Sequence, residues 1–113
     1  MDCIFCRIAN GEIKGDVVYQ DDEVVGFRDL NPQAPHHVLF VPRRHVATVN
    51  EFDDADATLI GKLVLAAGKV AADLGVADEG YRLVTNCNGN AGQTVFHVHL
   101  HMLAGRVMRW PPG

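Results

Sequence analysis

The chain has 113 residues, of which 48% are hydrophobic and 21% charged, and these values predict one soluble globular domain over residues 1–113. A formal net charge of −4 argues against a general nucleic-acid-binding surface, which needs a basic patch. Every apolar run is shorter than the roughly 18–20 residues of a membrane span, so we expect no membrane partner.

The first residues combine two cysteines with no sign of a signal peptide. A basic region followed by an apolar core is missing, so we expect a cytoplasmic location. The total of three cysteines is odd, which argues against a disulfide framework. Cys3 and Cys6 are spaced as in half of a metal site or as in a redox pair. A redox pair normally follows a strand, and no strand pattern precedes Cys3.

The first half of the chain predicts a short helix and three strands. Ile4, Phe5 and Ile8 lie on one side of the helix, which we expect over residues 3–10. The strands, of which the first two form a hairpin, are predicted at 17–19, 24–28 and 37–42. A loop with two prolines, residues 29–35, separates the second strand from the third.

The second half predicts one long helix and two strands. The long helix is amphipathic and runs from about residue 55 to 74, before Gly75. A strand over 81–86 follows, and the glycine- and asparagine-rich residues 87–93 predict a flexible loop. The last strand begins at His97. These elements predict an α+β fold, in which a mostly antiparallel sheet is combined with one long and one short helix.

Three histidines alternate with apolar residues at the start of the last strand. Alternation predicts that Val98 and Leu100 face the core and that His97, His99 and His101 share the opposite face. Successive imidazoles would then stand roughly 6.5–7 Å apart, which is two strand rises. A merely solvent-exposed histidine face is a weaker interpretation, because exposed strand positions favour Thr, Lys or Glu.

Two kinds of chemistry fit these histidines. They could bind a catalytic metal that activates water, or one of them could attack an electrophile and form a covalent intermediate. The preceding residues Asn86 and 92–94 offer neutral hydrogen-bond donors, and no carboxylate follows Glu79 in the sequence. A donor-rich, carboxylate-poor site favours a nucleophilic histidine that attacks a phosphate ester or amide.

At these residues the sequence resembles the histidine triad (HIT) superfamily. The triad pattern lies at 97–103, and 21–24, 29–35, 92–95 and the ending 110–113 resemble the Hint branch, so the resemblance covers nearly the whole chain. It implies a homodimer of two HIT-fold protomers with joined sheets, and hydrolysis or transfer at the α-phosphorus of a nucleotide. The Hint branch is similar to purine nucleoside phosphoramidases, which cleave the P–N bond of adenosine or guanosine 5′-phosphoramidates.

The resemblance also implies a role for individual residues. His99 would be the nucleophile that forms a nucleotidyl-histidine, with His101 handling phosphate charge and protons and His37 supporting the triad. Thr94 would contact the phosphate and assist catalysis. The remaining implied nucleotide contacts are Ile4, Phe5 and Ile8 at the purine, Asp29 and Leu30 at the ribose, and Asn86, Gly92 and Val95 at the phosphate and ribose. Trp110 would reach toward the partner's site. A loop cap is the plainer interpretation of Asp29, and core packing that of the apolar residues.

A further set of four residues is suited to structural zinc. Cys3, Cys6, His45 and His97 make a Cys₂His₂ combination, and some Hint-like proteins hold zinc with a similar set. We expect structural zinc, no organic cofactor, and a His97 that fixes the strand beside the nucleophile.

Two other functions stay open. One is a dinucleoside polyphosphate hydrolase of the same superfamily, which the Trp110–Gly113 ending disfavours. The other is a nucleotide-binding adaptor with incidental catalysis, which the intact triad and Thr94 disfavour.

Overall fold

Five antiparallel strands form one sheet in the computed structural model, which describes residues 3–113. The strands are β1 Val17–Gln20, β2 Val24–Arg28, β3 His36–Pro42, β4 Tyr81–Val84 and β5 Leu100–Ala104. Their order across the sheet is β1-β2-β3-β5-β4, so the largely apolar β3 lies at the centre. The predicted α+β class and the hairpin of β1 and β2 are confirmed.

Helices lie on both faces of this sheet. They are α1 Ile4–Ala9, α2 Ala57–Asp73 and α3 Asn88–Ala91. A 3-10 turn, Asp54–Asp56, precedes α2 and is closed by a capping box in which the side chains of Asp53 and Asp56 each accept a backbone N–H. The long helix therefore begins two residues later than predicted. Within residues 3–113, no helix has the length and apolarity that crossing a membrane requires.

The two faces of the sheet have separate cores. On one face Val38, Phe40 and Met102 are fully buried beneath α2. On the other face Phe27 and Leu39 are buried beneath α1 with its neighbouring residues. Alternation along β3 and β5 thus sends every second side chain toward α1, and the histidines are among them.

The histidine strand begins later than predicted, at Leu100 rather than at His97. The ladder between β3 and β5 stops at the pair Phe40–Leu100, and the N–H of Val98 donates to the carbonyl of Val46 instead (2.7 Å). Pro42, which ends β3, has no N–H with which to extend the ladder. His97 therefore lies in a bend and His99 in irregular backbone, and both belong to a lead-in to the strand.

The predicted facing of the alternating residues is correct, but the predicted spacing is not. Val98 and Leu100 are buried, and the imidazoles lie on the α1 side. The ring centroids of His99 and His101 are 5.0 Å apart, with the ring planes at 63°, which is closer than two strand rises. The predicted flexible loop at 87–93 is also more ordered than expected, since it contains α3.

Candidate active site

A cavity of about 330 Å³ opens on the α1 face of the sheet. Most of the residues predicted to contact a nucleotide line it: Ile4, Phe5, Ile8, Asp29, Leu30, Thr94, Val95, His99 and His101. Three do not. Asn86 and Gly92 lie outside the lining, and Trp110 is 81% exposed at the C-terminal end of the chain.

The ring of His99 is held in one orientation. Its Nδ1 lies 2.7 Å from the carbonyl oxygen of His97, which can only accept, so Nδ1 carries the proton and donates. The ring of Phe5 packs edge-on against it at 5.0 Å. With the proton fixed on Nδ1, the lone pair is on Nε2, which is the form an attacking imidazole needs.

A chain of hydrogen bonds fixes the protons of the other two site histidines. The backbone N–H of Gln33 donates to Nδ1 of His37 (3.0 Å), so the proton of neutral His37 is on Nε2. That Nε2–H donates to Nδ1 of His101 (2.8 Å). His101 is therefore left with its own proton on Nε2, where it can donate to a bound group.

Burial keeps this pair of histidines neutral. Burial, together with the neighbouring His99 and His37 and against the opposing effect of Asp29, lowers the pKa of His101 to about 4. Burial also lowers the pKa of His37, against an opposing effect of the Asp29 carboxylate. At neutral pH both are hydrogen-bonding imidazoles rather than fixed positive charges.

These lowered pKa values predict that the protein becomes less stable as the pH is lowered. The unfolded histidines bind protons near pH 6.5, so the unfolded chain holds more protons than the native one at lower pH. We expect the free energy of unfolding to be at its maximum above about pH 6.5 and to decrease as the pH falls toward about 4. Urea unfolding of zinc-loaded protein at a series of pH values measures this, and His101→Gln should flatten the profile. An equally steep profile in that variant would contradict the assignment.

Asp29 is placed by its own loop. One carboxylate oxygen accepts the N–H of Asn31 (2.8 Å), so the loop-cap interpretation of this residue is confirmed. The other oxygen lies 3.5 Å from Nε2 of His37, and Asp29 is one of the residues that line the cavity. The carboxylate can therefore accept a ligand hydroxyl without giving up its cap, and the ribose contact stays a prediction.

The cluster of Asp29, His37 and His101 also has donor atoms close enough to hold a metal ion. Its hydrogen bonds argue against one. A metal on Nε2 of neutral His37 would move the proton to Nδ1, where the N–H of Gln33 already donates. The cluster is better described as a hydrogen-bonded relay.

Cys3, Cys6, His45 and His97 converge as the sequence predicts, with all four donor atoms within 4.8 Å of one another. The Nδ1 atoms of His45 and His97 are 3.2 Å apart, and Nδ1 of His97 lies 3.3 and 3.4 Å from the two sulfurs. In tetrahedral zinc sites, neighbouring donors lie about 3.3 Å (N to N) and about 3.6 Å (N to S) apart. The cluster has nearly these dimensions.

The proton of His97 also suits a metal ligand. Its Nε2 lies 2.8 Å from the carbonyl oxygen of Pro42 and must donate to it, so the lone pair is on Nδ1, among the other donors. Metal-bound histidines usually donate their second N–H in this way. The four residues therefore fit a structural metal ion, and the same histidine supplies the carbonyl that orients His99.

Gln93 is a buried polar residue beside the site that was predicted only as one of the neutral donors at 92–94, without a structural role. The side chain of Gln93 accepts the N–H of Asn88 (2.8 Å) and donates to the carbonyl oxygens of Ala47 and Val95 (2.8 and 3.1 Å). It ties α3 to the segment that carries Thr94. The only sequence signal was a glutamine within a loop of glycines and asparagines.

Comparison with known proteins gives consistent matches. The HIT domain family model matches residues 10–108. Over 112 residues the chain is 48% identical to an uncharacterised HIT-like protein of Synechocystis, covering 99% of this chain and 97% of that protein. Over 103 residues it is 45% identical to the purine nucleoside phosphoramidase of Escherichia coli K12, covering 91% and 87%.

Solved structures give the same result. The HIT family hydrolase from Legionella pneumophila superposes with a TM-score of 0.97 at 48% identity, covering 99% of this chain and all of that one. A histidine triad protein from Clostridium difficile superposes with a TM-score of 0.94 at 42% identity, covering 96% and 95%.

Proposed function

The chain belongs to the HIT domain family, and we propose that it hydrolyses the P–N bond of purine nucleoside 5′-phosphoramidates. The observation that carries this proposal is the pair of fixed imidazoles in the cavity. His99 presents a lone pair on Nε2, and His101 presents a proton on Nε2. A nucleophile beside a hydrogen-bond donor is a combination that supports displacement of an amine from phosphorus.

In the first step, Nε2 of His99 attacks the α-phosphorus and the P–N bond breaks. The leaving nitrogen takes its electron pair and a proton from solvent, and the hydrogen bond from Nε2–H of His101 stabilises it, so it departs as a neutral amine. The product on the enzyme is a nucleotidyl-histidine. Proton donation is essential here, because an amide anion is a very poor leaving group.

In the second step, water attacks the same phosphorus and the bond to His99 breaks. The attacking water releases one proton to solvent, which balances the proton taken up in the first step, and His101 keeps its Nε2 proton throughout. The sum is one phosphoramidate and one water converted to one amine and one nucleoside monophosphate. The N–H that Gln33 donates to His37 keeps the relay in one tautomer through both steps.

The rest of the cavity suits the remainder of a nucleotide. Phe5, Ile8 and Phe27 form an apolar slot for a purine, and the carboxylate of Asp29 stands where a ribose hydroxyl could donate to it. Thr94 supplies a hydroxyl beside the histidines, as a contact to the phosphate requires.

We also propose that Cys3, Cys6, His45 and His97 hold a structural zinc ion. Zinc there would cross-link the start of α1 to the loop after β3 and to the lead-in of the triad strand. In the site, His97 fixes the backbone carbonyl to which His99 donates. No step of the reaction uses the ion.

A homodimer is supported by two surfaces that adjoin each other. β4 pairs only with β5 among the described strands, so its other edge can accept a further strand. Beside it, α2 exposes apolar side chains, including Val64 (46% exposed) and Leu65 (64% exposed). Gly68 of α2 lies close to the hydroxyl of Tyr81, which makes these surfaces continuous. Joining two sheets here would bring Trp110 of one chain toward its partner.

A substitution that introduces a charge on the exposed side of α2 tests whether the protein is a dimer. Leu65→Glu should convert the dimer into a monomer, because burying a carboxylate in an apolar interface is strongly unfavourable. Sedimentation velocity measures the mass directly. Val17→Glu, on the opposite edge strand, is the control and should leave the dimer intact. A monomeric wild-type protein would contradict the proposal.

The activity is tested by offering several substrates to the purified protein. We expect adenosine 5′-phosphoramidate to yield AMP and ammonia, and diadenosine triphosphate to react far more slowly. Faster turnover of the dinucleotide would favour a polyphosphate hydrolase. Binding of AMP without turnover of either compound would favour an adaptor.

A further inference from the structure

The pairing of the strands gives the distance across the sheet beneath the cavity. Val17 on β1 pairs with Phe27 on β2, Phe27 pairs with Leu39 on β3, and Leu39 pairs with His101 on β5. Neighbouring strands are about 4.8 Å apart, so β1 lies about 14 Å from β5. A nucleotide whose phosphorus is held at the histidines would extend its base over Phe27, toward β1.

The segment immediately before β1 closes this far end of the cavity. Residues 14–16 belong to the lining. A Cβ atom on Gly15 would lie only 3.0 Å from Cγ2 of Ile8, so the segment lies directly against α1. On its other side, the N–H of Arg28 donates to the carbonyl oxygen of Asp16 (3.0 Å). The backbone that carries Lys14 is thus fixed at the base end.

The ammonium group of Lys14 is available to a ligand. Its side chain is exposed, and no hydrogen bond or ion pair within residues 3–113 engages it. The neighbouring carboxylate of Asp16 is instead paired with the guanidinium of Arg28, at 3.4 Å. The lysine is therefore the charged group at this end that is not already engaged with a neighbour on the protein.

An ammonium group distinguishes the two purines by their 6-position. Lysine donates hydrogen bonds and accepts none. Guanine carries the acceptors O6 and N7 side by side, whereas adenine carries the donor N6–H₂ beside N7. A donor-only side chain at the far edge of the base is complementary to guanine and partly opposed to adenine.

We propose that Lys14 sets the base preference of the site, so that guanosine 5′-phosphoramidates are favoured over the adenosine compounds. The kinetic part of this proposal rests on the proposed hydrolase function, whereas the preference in base binding does not. The contact is remote from the bond that breaks. It holds substrate and transition state alike, so it lowers KM rather than raising kcat.

The test compares three substrates and four proteins. We expect the wild type to show kcat/KM for guanosine and inosine 5′-phosphoramidates about three- to tenfold above that for the adenosine compound, since inosine shares O6 and N7. Lys14→Met, which keeps the length, should bring the ratio close to one through KM. Lys14→Glu, which adds an acceptor, should reverse the preference. Lys62→Met, which removes an exposed ammonium group paired with Glu23 and outside the cavity lining, should leave it unchanged.

Several outcomes would overturn the role of Lys14. These are a wild type that does not prefer guanosine, a ratio unchanged in Lys14→Met, or inosine that behaves like adenosine. The affinities for GMP, IMP and AMP, measured by calorimetry, report the same base preference without turnover. A Lys14-dependent preference for GMP in a protein that hydrolyses nothing would refute the proposed hydrolase and support the role of Lys14.

Discussion

Replacing His99 with glutamine is expected to reduce phosphoramidate hydrolysis by about 10³–10⁶-fold, the range found when an enzyme loses its nucleophile. No neighbouring group can take over, because the lone pair of His101 accepts from His37 and that of His97 lies among the metal-site donors. Steady-state release of the nucleoside monophosphate measures the loss. Nucleotide binding should change far less, since the remaining contacts to the base and ribose stay in place.

A matched control separates loss of chemistry from loss of structure. His36 lies on β3 next to His37 and by alternation points to the opposite face of the sheet. His36→Gln is therefore the same substitution without access to the cavity, and it should keep near wild-type turnover. Both variants should unfold at similar denaturant concentrations. A His99→Gln protein that retains a tenth of the activity would show that another group attacks phosphorus.

Replacing Cys6 with serine is expected to remove zinc and to lower the stability of the protein. Losing a cross-link between distant segments costs about 2–5 kcal/mol by analogy with disulfides, which corresponds to roughly 10–20 °C in Tm for a domain of this size. Metal analysis and thermal unfolding measure both effects.

Cys87 provides the control for this experiment. It is half-buried and lies outside the four-residue cluster, so Cys87→Ser should retain the metal and the wild-type Tm. Purified wild type that contains no zinc would contradict the metal proposal. If Cys6→Ser lost zinc but kept its Tm, the ion would have no structural role.

Local patterns in the sequence were sufficient to predict most elements of the fold. A hairpin pattern located β1 and β2, a nearly continuous apolar run located β3, and helical periodicity located α2. The start of β5 was misassigned because strand length depends on the partner strand, and β3 ends at Pro42, which cannot donate to the ladder. The assignment of residues 1–113 to one domain and the cytoplasmic location stay predictions.

The sequence was sufficient to predict most residues of the candidate site, but not the positions of the protons on its histidine rings. The four metal-site residues and the triad could be chosen from spacing and resemblance. Which nitrogen of each ring carries the proton depends on the carbonyl of Pro42, the carbonyl of His97 and the N–H of Gln33. These partners are ordinary backbone groups, and only the folded arrangement identifies them.

During turnover, a nucleotide is expected to become covalently attached to Nε2 of His99. Mixing the protein with guanosine 5′-phosphoramidate for a short time, quenching it, and mapping the peptides by mass spectrometry tests this directly. We predict one guanylyl group on the peptide that contains His99, decaying as GMP appears and missing from His99→Gln. Turnover without any adduct, or an equal adduct in that variant, would contradict the account.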